Sequence, residues 1–505
     1  MVLLDGSSLT LEQLLVIAQD GERVGIAPEA AVRVNRAREV VDRKAEGADP
    51  VYGINTGFGS FAEVKIAPDA LDALQLNLLR SHAAGVGDPL PIAAVRATMA
   101  LRANVLAKGF SGIRLTTLEA LVAMLNAGVH PRVPSRGSVG ASGDLAPLAH
   151  LSLVLIGEGE AWGKGTLVVP GAEALRRAGL KPVTLGPKEG LALINGTQPS
   201  SAVLALALAG AGRLARAADI AAALSIDALR GSIRPFDPRV HAARPYDGQA
   251  VSAANIDRLV TGSGINASHQ NCGRVQDAYS MRCAAQVHGA TREALRFVRE
   301  ILTIEINAAT DNPMVFAESE EIVSGGNFHG APIAMAADLM AAALVPLATI
   351  SERRTDRLVD PALSGLPAFL TRHGGLRSGL MLAHVTAAAG ASELKTLAHP
   401  AAIDTIPTSA NKEDHVSMSM AAALKADTAL GRAREVVAVE ILCACQAIDL
   451  LAPLETSPAL AAVHRLVRSR VPVLDDDRPP APDLAAITAL IARGEIGDAC
   501  GRLVK

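Results

Sequence analysis

The length, composition and charge of the chain describe a large, apolar and nearly neutral protein. It has 505 residues, of which 50% are hydrophobic, 20% charged and 2% aromatic, so it can bury a substantial core and is not disordered. The formal net charge of −3 argues against a nucleic-acid-binding protein, which normally carries a basic excess. Ala and Leu are abundant, and both favour a helix-rich fold.

The distribution of apolar residues and cysteines narrows the class further. The uncharged apolar stretches 202–212 and 339–350 are shorter than a membrane span requires, and the N-terminus lacks the pattern of a secretory signal. The cysteines are odd in number and sparse, which disfavours a disulfide framework and a zinc site; they are Cys272, Cys283, Cys443, Cys445 and Cys500. We therefore expect a cytoplasmic protein with no bound metal and no membrane partner, whose Cys443 and Cys445 pack within a helix.

The first elements are predicted by local signals. Thr10 and Gln13 have the spacing of a capping box, and Pro28 is expected to begin a second helix. The stretch 49–59, DPVYGINTGFG, is rich in Gly and Asn and is predicted to be a loop. Helical patterns return over 71–125, with an interruption at 85–89.

The remaining chain changes character near residue 205. Residues 131–143 contain too much Pro, Gly and Ser for a regular helix, and 166–184 is predicted to hold a short strand pair. Long Ala-rich helices follow, over 331–354 and 429–451. We expect two domains, a mixed N-terminal domain over 1–205 and a helical bundle over 206–505.

The segment 137–150, GSVGASGDLAPLAH, has the most informative chemistry. Its glycine spacing matches neither a dinucleotide-binding fingerprint nor a P-loop, and it lacks the second glycine of a nucleophile elbow. If the amide nitrogen of Gly143 attacks the carbonyl carbon of Ala141, a five-membered ring closes. Loss of the Ser142 hydroxyl as water then gives an exocyclic C=C, an electrophile made from the chain. Considered alone, the tripeptide is far more often part of an ordinary loop, because it is common by chance.

The neighbouring motifs support the electrophile. Together with this loop, five further blocks resemble, in order, the motifs of the aromatic amino acid ammonia-lyase family, whose prosthetic group is 4-methylidene-imidazol-5-one (MIO) formed from Ala-Ser-Gly. They are 52–59 (YGINTGFG), 191–198 (LALINGTQ), 274–282 (RVQDAYSMR), 311–313 (DNP) and 324–329 (SGGNFH).

The resemblance implies a fold, a cofactor and an assembly. The fold is mainly α, with an N-terminal domain that carries the MIO loop and a long central helical bundle, similar to the fumarase/aspartase architecture. MIO forms from Ala141, Ser142 and Gly143, and no external cofactor is needed. The family forms homotetramers whose active sites take residues from three chains, and its members act on small amino acids, not on nucleic acids or membranes.

The resemblance also implies roles for individual residues. Tyr52 is the expected base, Arg282 the expected partner of the substrate carboxylate, and Tyr279 and Asn195 the groups that orient the prosthetic ring and the substrate amine. Gln276 and Phe328 are expected to line the site. A tyrosine has an ordinary pKa of about 10, so Tyr52 needs a lowered pKa or nearby positive charge to act near neutrality.

Two segments resemble the histidine-specific members of the family. They contain Ser81-His82 and Glu413, and together His82 and Glu413 would bind the two nitrogens of an imidazole ring. The activity implied is the elimination of ammonia from L-histidine to give trans-urocanate, in histidine degradation. Considered alone, a residue such as His82 is more often a structural histidine, and one such as Glu413 is more often a solvated helix charge.

Several positions depart from the histidine-specific pattern, and they keep an alternative open. Lys412 stands where Gln is usual, Ala278 and Ala285 where Pro is usual, His384 where Gln is usual, and Ala331 where Glu is usual. The alternative is an MIO-dependent lyase or 2,3-aminomutase acting on another aromatic substrate or a modified histidine. A catalytically silent assembly partner is disfavoured because Tyr52, Ser142, Asn195 and Arg282 are all present. A serine hydrolase would retain the full sequence mass and acylate at Ser142.

Overall fold

The computed structural model describes residues 1–505 except 48, 270–272 and 274, and except the side chain of Ser60. Cys272 and Arg274 therefore lie outside the described residues. The described chain is mainly helical, with short strands, which confirms the predicted fold class. It divides into two compact units: Met1–Leu206 with Arg299–Asp338 and Pro400–Leu424, and Ala207–Val298 with Leu339–His399 and Lys425–Lys505. The predicted domains 1–205 and 206–505 stay a prediction.

The first unit begins with the two helices that the sequence predicts. In the helix Leu11–Gln19, Thr10 Oγ1 accepts from the amide of Gln13 at 3.1 Å and Gln13 Oε1 accepts from the amide of Thr10 at 2.9 Å. Pro28 begins the second helix, Pro28–Glu46. The further helices that lie wholly in this unit are Leu71–His82, Ile92–Ala107, Leu115–Asn126, Leu145–Leu155, Gly171–Arg177 and Glu189–Ile194.

Short strands and 3₁₀ turns connect these helices. Val2–Leu4 pairs in parallel with Val24–Ile26, and Val86–Pro89 pairs antiparallel with Pro134–Arg136. The other antiparallel pairings join His130–Pro131, Glu160–Trp162 and Val168–Pro170 in one sheet, and Met314–Phe316 with Glu321–Val323 in another. The 3₁₀ turns are Gly59–Phe61, Pro68–Ala70 and Ser409–Asn411.

The predicted strand pair within 166–184 is wrong in part. Only Val168–Pro170 forms a strand there, and it pairs with the preceding Glu160–Trp162. The helix Gly171–Arg177 follows, because Ala, Glu, Leu and Arg after Pro170 are good helix formers.

The regular elements of the second unit, among its described residues, are helices and 3₁₀ turns. Its shorter elements are Arg234–Phe236, Pro238–Ala242, Asp247–Val260, Gly264–Ala267, Tyr279–Arg282, Pro361–Ser364, Ala368–Leu370, Met381–Leu397, Pro458–Arg468, Ala481–Arg493, Glu495–Asp498 and Gly501–Leu503. Four long helices include residues of both units: Gln198–Ala228, Ala284–Glu305, Ala331–Val359 and Ser419–Leu450. As predicted, Cys443 and Cys445 are buried within a helix, and the described cysteines are free thiols.

Two of the long helices are apolar enough to cross a membrane by length and composition alone. They are Gln198–Ala228 and Ala331–Val359. The most apolar 18-residue segment is 72% buried within the protein in the first helix and 56% buried in the second. Core helices of a protein are also apolar and buried in this way, so hydropathy by itself does not assign these two helices to a membrane.

Candidate functional site

A cavity of about 1280 Å³ lies in the first unit, and its described lining comes from that unit alone. Six stretches of sequence contribute to it: 50–66, 74–82, 141–145, 191–195, 312–329 and 409–415. It brings together seven of the residues singled out in the sequence. These are Tyr52, His82, Ala141, Ser142, Asn195, Phe328 and Glu413.

The backbone around Gly143 requires glycine. Gly143 has φ +68°, and it forms a parallel bridge with Gly196. A Cβ on Gly143 would lie 2.2 Å from the carbonyl oxygen of Gly196, far inside van der Waals contact. The amide of Asp144 donates to the same oxygen at 2.8 Å. The loop is thus held against Gly196 in a conformation that an L side chain rarely adopts.

Asp144 fixes the loop from within the protein. Its carboxylate is fully buried and accepts hydrogen bonds from Ser138 Oγ at 2.7 Å and from the amide of Ser200 at 2.9 Å. Burial raises the pKa of Asp144, and these hydrogen bonds oppose the rise. Because Asp144 precedes the helix Leu145–Leu155, the loop and the helix start are fixed together.

Ser142 and Glu413 both line the cavity, and their side chains are in direct contact. Ser142 Oγ donates to Glu413 Oε1 at 3.1 Å. The other carboxylate oxygen, Oε2, accepts from Thr408 Oγ1 at 2.6 Å. Thr408 and Glu413 also exchange two backbone hydrogen bonds, of 3.0 and 3.3 Å. The carboxylate is therefore held by Thr408 and directed at the serine hydroxyl.

His82 is oriented by the helix that it ends. In Leu71–His82, the Nδ1 atom of His82 lies 2.9 Å from the carbonyl oxygen of Leu78 and 3.0 Å from Ser81 Oγ. Since a carbonyl only accepts, Nδ1 carries the proton. Burial lowers the pKa of His82, while the Leu78 hydrogen bond and Glu413 raise it less. The neutral ring thus presents Nε2 as a hydrogen-bond acceptor.

Tyr52 lies in the predicted loop, with its ring edge-on to Phe58 at 6.4 Å between centroids. Burial raises the pKa of Tyr52, and the negative charge of Glu413 adds to this effect. A hydrogen bond with the Gly59 backbone lowers it, but by less. The environment within one chain therefore favours the neutral phenol over the phenolate.

Asn195 is held by a buried arginine that the sequence reasoning missed. Arg102 Nη1 donates to the carbonyl oxygen of Asn195 at 2.6 Å, and Asn195 Nδ2 donates to that of Asn312 at 3.4 Å. In the described part of the chain, the buried Oδ1 of Asn195 has no hydrogen-bond partner. Asn195 thus offers an unused acceptor beside the loop. An arginine amid the apolar residues of Ile92–Ala107 was the available signal.

The remaining predicted site residues belong to the second unit. Gln276 is exposed, and Tyr279 is 71% exposed. The guanidinium carbon of Arg282 lies 4.6 Å from the centroid of the Tyr279 ring, a cation–π arrangement. Tyr279 and Arg282 pair on the short helix Tyr279–Arg282, where the tyrosine is exposed and the arginine is partly buried.

The departures from the histidine-specific pattern fall in different surroundings. Lys412 is exposed and lines the cavity beside Glu413. His384 lies in the second unit, with Nε2 2.9 Å from Glu352 Oε1. Ala278 is the residue before Tyr279–Arg282, and Ala285 is buried. Among the described residues, no group of three His, Cys, Asp or Glu side chains is arranged to hold a metal ion.

Comparison with known proteins defines the class. The sequence model of the aromatic amino acid lyase family matches residues 9–469, so the chain belongs to this family. It is 56% identical over 503 residues to the histidine ammonia-lyase of Anaeromyxobacter dehalogenans (strain 2CP-C), covering 98% of this chain and 99% of the relative.

Solved structures agree over the whole chain. The histidine ammonia-lyase of Trypanosoma cruzi superimposes with a TM-score of 0.92 at 45% identity, covering 100% of this chain and 96% of that one. The tyrosine aminomutase of Streptomyces globisporus superimposes with a TM-score of 0.94 at 38% identity, covering 100% and 99%.

Proposed function

We propose that this protein is a histidine ammonia-lyase, which eliminates ammonia from L-histidine to give trans-urocanate. The observation that carries the proposal is that His82 and Glu413 line the same cavity as Ala141 and Ser142. The higher identity to histidine ammonia-lyases than to the tyrosine aminomutase supports histidine elimination over a mutase reaction.

The loop fits a prosthetic group made from Ala141, Ser142 and Gly143. Ala141 is small and buried, Gly143 has the backbone that only glycine adopts readily, and Asn195 Oδ1 is an unused acceptor nearby. Attack of the Gly143 nitrogen on the Ala141 carbonyl carbon closes the ring, and the Ala141 carbonyl oxygen is lost as a first water. The Ser142 hydroxyl is lost as a second water. Once formed, MIO supplies an electrophilic methylidene carbon that makes the substrate amine a better leaving group.

The chain's own residues would select the imidazole ring. Neutral His82 presents Nε2, which accepts from one ring N–H. The Glu413 carboxylate accepts from the other ring nitrogen when that nitrogen carries a proton. A phenyl ring offers no N–H, so it leaves both acceptors without partners at about 1–3 kcal/mol each.

We propose that other copies of the chain complete the site in a homotetramer. Gln276, Tyr279 and Arg282 would be contributed by these copies, and the exposure of Gln276 and Tyr279 supports this arrangement. Arg282 would bind the substrate carboxylate, and its positive charge would lower the pKa of Tyr52, which burial raises. Tyr52 could then take the β-proton near neutrality. The free thiols of the described cysteines support a cytoplasmic location.

Turnover and mass test the proposal together. Purified protein is incubated separately with L-histidine, L-tyrosine and L-phenylalanine, and the ultraviolet absorbance of a new conjugated acid is followed. We expect a rise with histidine alone, and an intact mass two waters below that of the sequence. Ser142→Ala should fold and lose activity, whereas Ser319→Ala, at an exposed serine of the same unit, should keep both properties. Full sequence mass in the native protein, or wild-type turnover by Ser142→Ala, would refute the proposal.

A further inference from the structure

Ser142 must lose its hydroxyl as water before the proposed site can act, and one residue is placed to assist. In the described chain, the hydrogen bond made by Ser142 Oγ goes to Glu413 Oε1, at 3.1 Å. Two neighbouring titratable groups make hydrogen bonds elsewhere. Asp144 accepts from Ser138 and Ser200, and Nδ1 of His82 is bonded to Leu78.

We infer that Glu413 carries the proton in the dehydration of Ser142, in addition to its proposed part in recognising the substrate. The inference rests on the proposed function. It assigns Glu413 a role in making the prosthetic group, before any substrate binds. Hydroxide is a poor leaving group, so a proton delivered to Oγ as the bond breaks accelerates the step.

The step balances with one proton and no change of oxidation state overall. Oε1 of Glu413 takes the proton from Cα of Ser142, and the electron pair of that C–H bond becomes the second Cα–Cβ bond. The Cβ–Oγ bond breaks, and its electron pair leaves on Oγ. Glu413 returns the proton to Oγ, so that water departs and the carboxylate is restored. One oxygen can serve both positions because Cα and Oγ are two bonds apart.

Thr408 is the positioning residue for this transfer. Its hydroxyl donates to Oε2 at 2.6 Å, which leaves Oε1 free to face the serine. The two backbone hydrogen bonds between Thr408 and Glu413 fix the distance between the residues. Removal of the hydroxyl should therefore slow the same dehydration without removing the carboxylate.

The experiment follows the intact mass of the full-length chain over time after synthesis, in the absence of substrate. Wild type should reach a mass two waters below that of the sequence. Glu413→Gln, which keeps the shape but not the basicity, should lose the Ser142 water about 10²-fold more slowly. Thr408→Val should be slowed to a lesser extent, and Thr408→Ser should restore the wild-type rate.

A matched control separates ring formation from substrate recognition. His82→Leu removes the other proposed imidazole-binding group and leaves Ser142, Glu413 and Thr408 unchanged. This variant should therefore lose both waters at the wild-type rate, although its histidine turnover is low. Melting temperature and oligomer size identify any variant that fails to fold, and Thr408→Val then supplies the test. Wild-type dehydration kinetics in Glu413→Gln would overturn the inference and leave the proposed function standing. Full mass in the wild-type protein would refute both.

Discussion

Gly143 and Gly196 approach each other so closely that a Cβ on Gly143 would lie 2.2 Å from the Gly196 carbonyl oxygen. The two residues form a parallel bridge, and the amide of Asp144 shares the same oxygen. This contact holds the loop 141–143 in a bent conformation. The backbone conformation that the proposed ring needs at Gly143 therefore depends on Gly196, which lies more than fifty positions away in the sequence.

Gly143→Ala should therefore prevent ring formation and destabilise the protein by about 1–3 kcal/mol, because the new methyl group clashes and the left-handed φ is strained. Intact mass and thermal unfolding measure the two effects. Gly165→Ala is the matched control: its φ is +64°, but no atom lies within 4 Å of the added Cβ. It should cost about 1–2 kcal/mol and keep the two-water mass loss. A Gly143→Ala protein that still loses both waters would contradict the requirement.

Tyr52 should ionise above the ordinary tyrosine pKa of about 10 in a chain whose site is incomplete. Burial and Glu413 disfavour the phenolate, so its fraction rises only as the pH exceeds the ordinary range. The chain has three tyrosines, and ultraviolet titration measures the sum of their phenolate absorbances. Tyr52→Phe should remove from the titration the one ionisation whose midpoint lies above the ordinary tyrosine range, and it should abolish turnover.

The Tyr52 titration also tests the proposed homotetramer. In the assembled enzyme, the guanidinium of Arg282 from another copy should lower the midpoint. Arg282→Met, which removes the charge, should return the midpoint to the higher value of the incomplete site. An identical midpoint in wild type and Arg282→Met would show that this charge does not act on Tyr52.

His82→Leu should weaken the binding of L-histidine by about 1–3 kcal/mol, which is about 5- to 150-fold in KM. The leucine fills the space but removes the Nε2 acceptor that the Leu78 hydrogen bond fixes. Steady-state kinetics separates KM from kcat. Lys412→Gln, at the exposed neighbour of Glu413, is the comparison and should change KM much less. Equal effects of the two substitutions would argue against an imidazole contact at His82.

Arg102→Met should destabilise the first unit by about 3–5 kcal/mol, because it leaves the buried carboxylate of Asp311 without its arginine partner. The substitution also removes the hydrogen bond that Arg102 donates to the carbonyl oxygen of Asn195. Because Asn195 is then held less firmly, kcat should fall in the fraction of the protein that remains folded. Denaturant unfolding and kinetics report the two effects. Arg80→Met removes only an exposed ion pair with Glu158 and should change stability little.

Much of the local structure follows from short-range signals. The capping box of Thr10 and Gln13 and the helix start at Pro28 are confirmed because these interactions act within one helical turn. The strand prediction over 166–184 was wrong in part for the complementary reason. Helix propensity after Pro170 competes with β-branched residues, and pairing with Glu160–Trp162 decided which three residues became a strand.

The sequence by itself determined the chemistry available at Ala141-Ser142-Gly143 and the family to which the motifs belong. Only the tertiary structure decided how these groups are aimed. Ser142 is hydrogen bonded to Glu413, which is 271 positions away in the sequence, and Arg102 is hydrogen bonded to Asn195, which is 93 positions away. The proton on Nδ1 of His82 and the raised pKa of Tyr52 also depend on burial and on neighbours. Propensity acts over a few residues, whereas burial, charge and hydrogen-bond direction are set by chain segments that packing brings together.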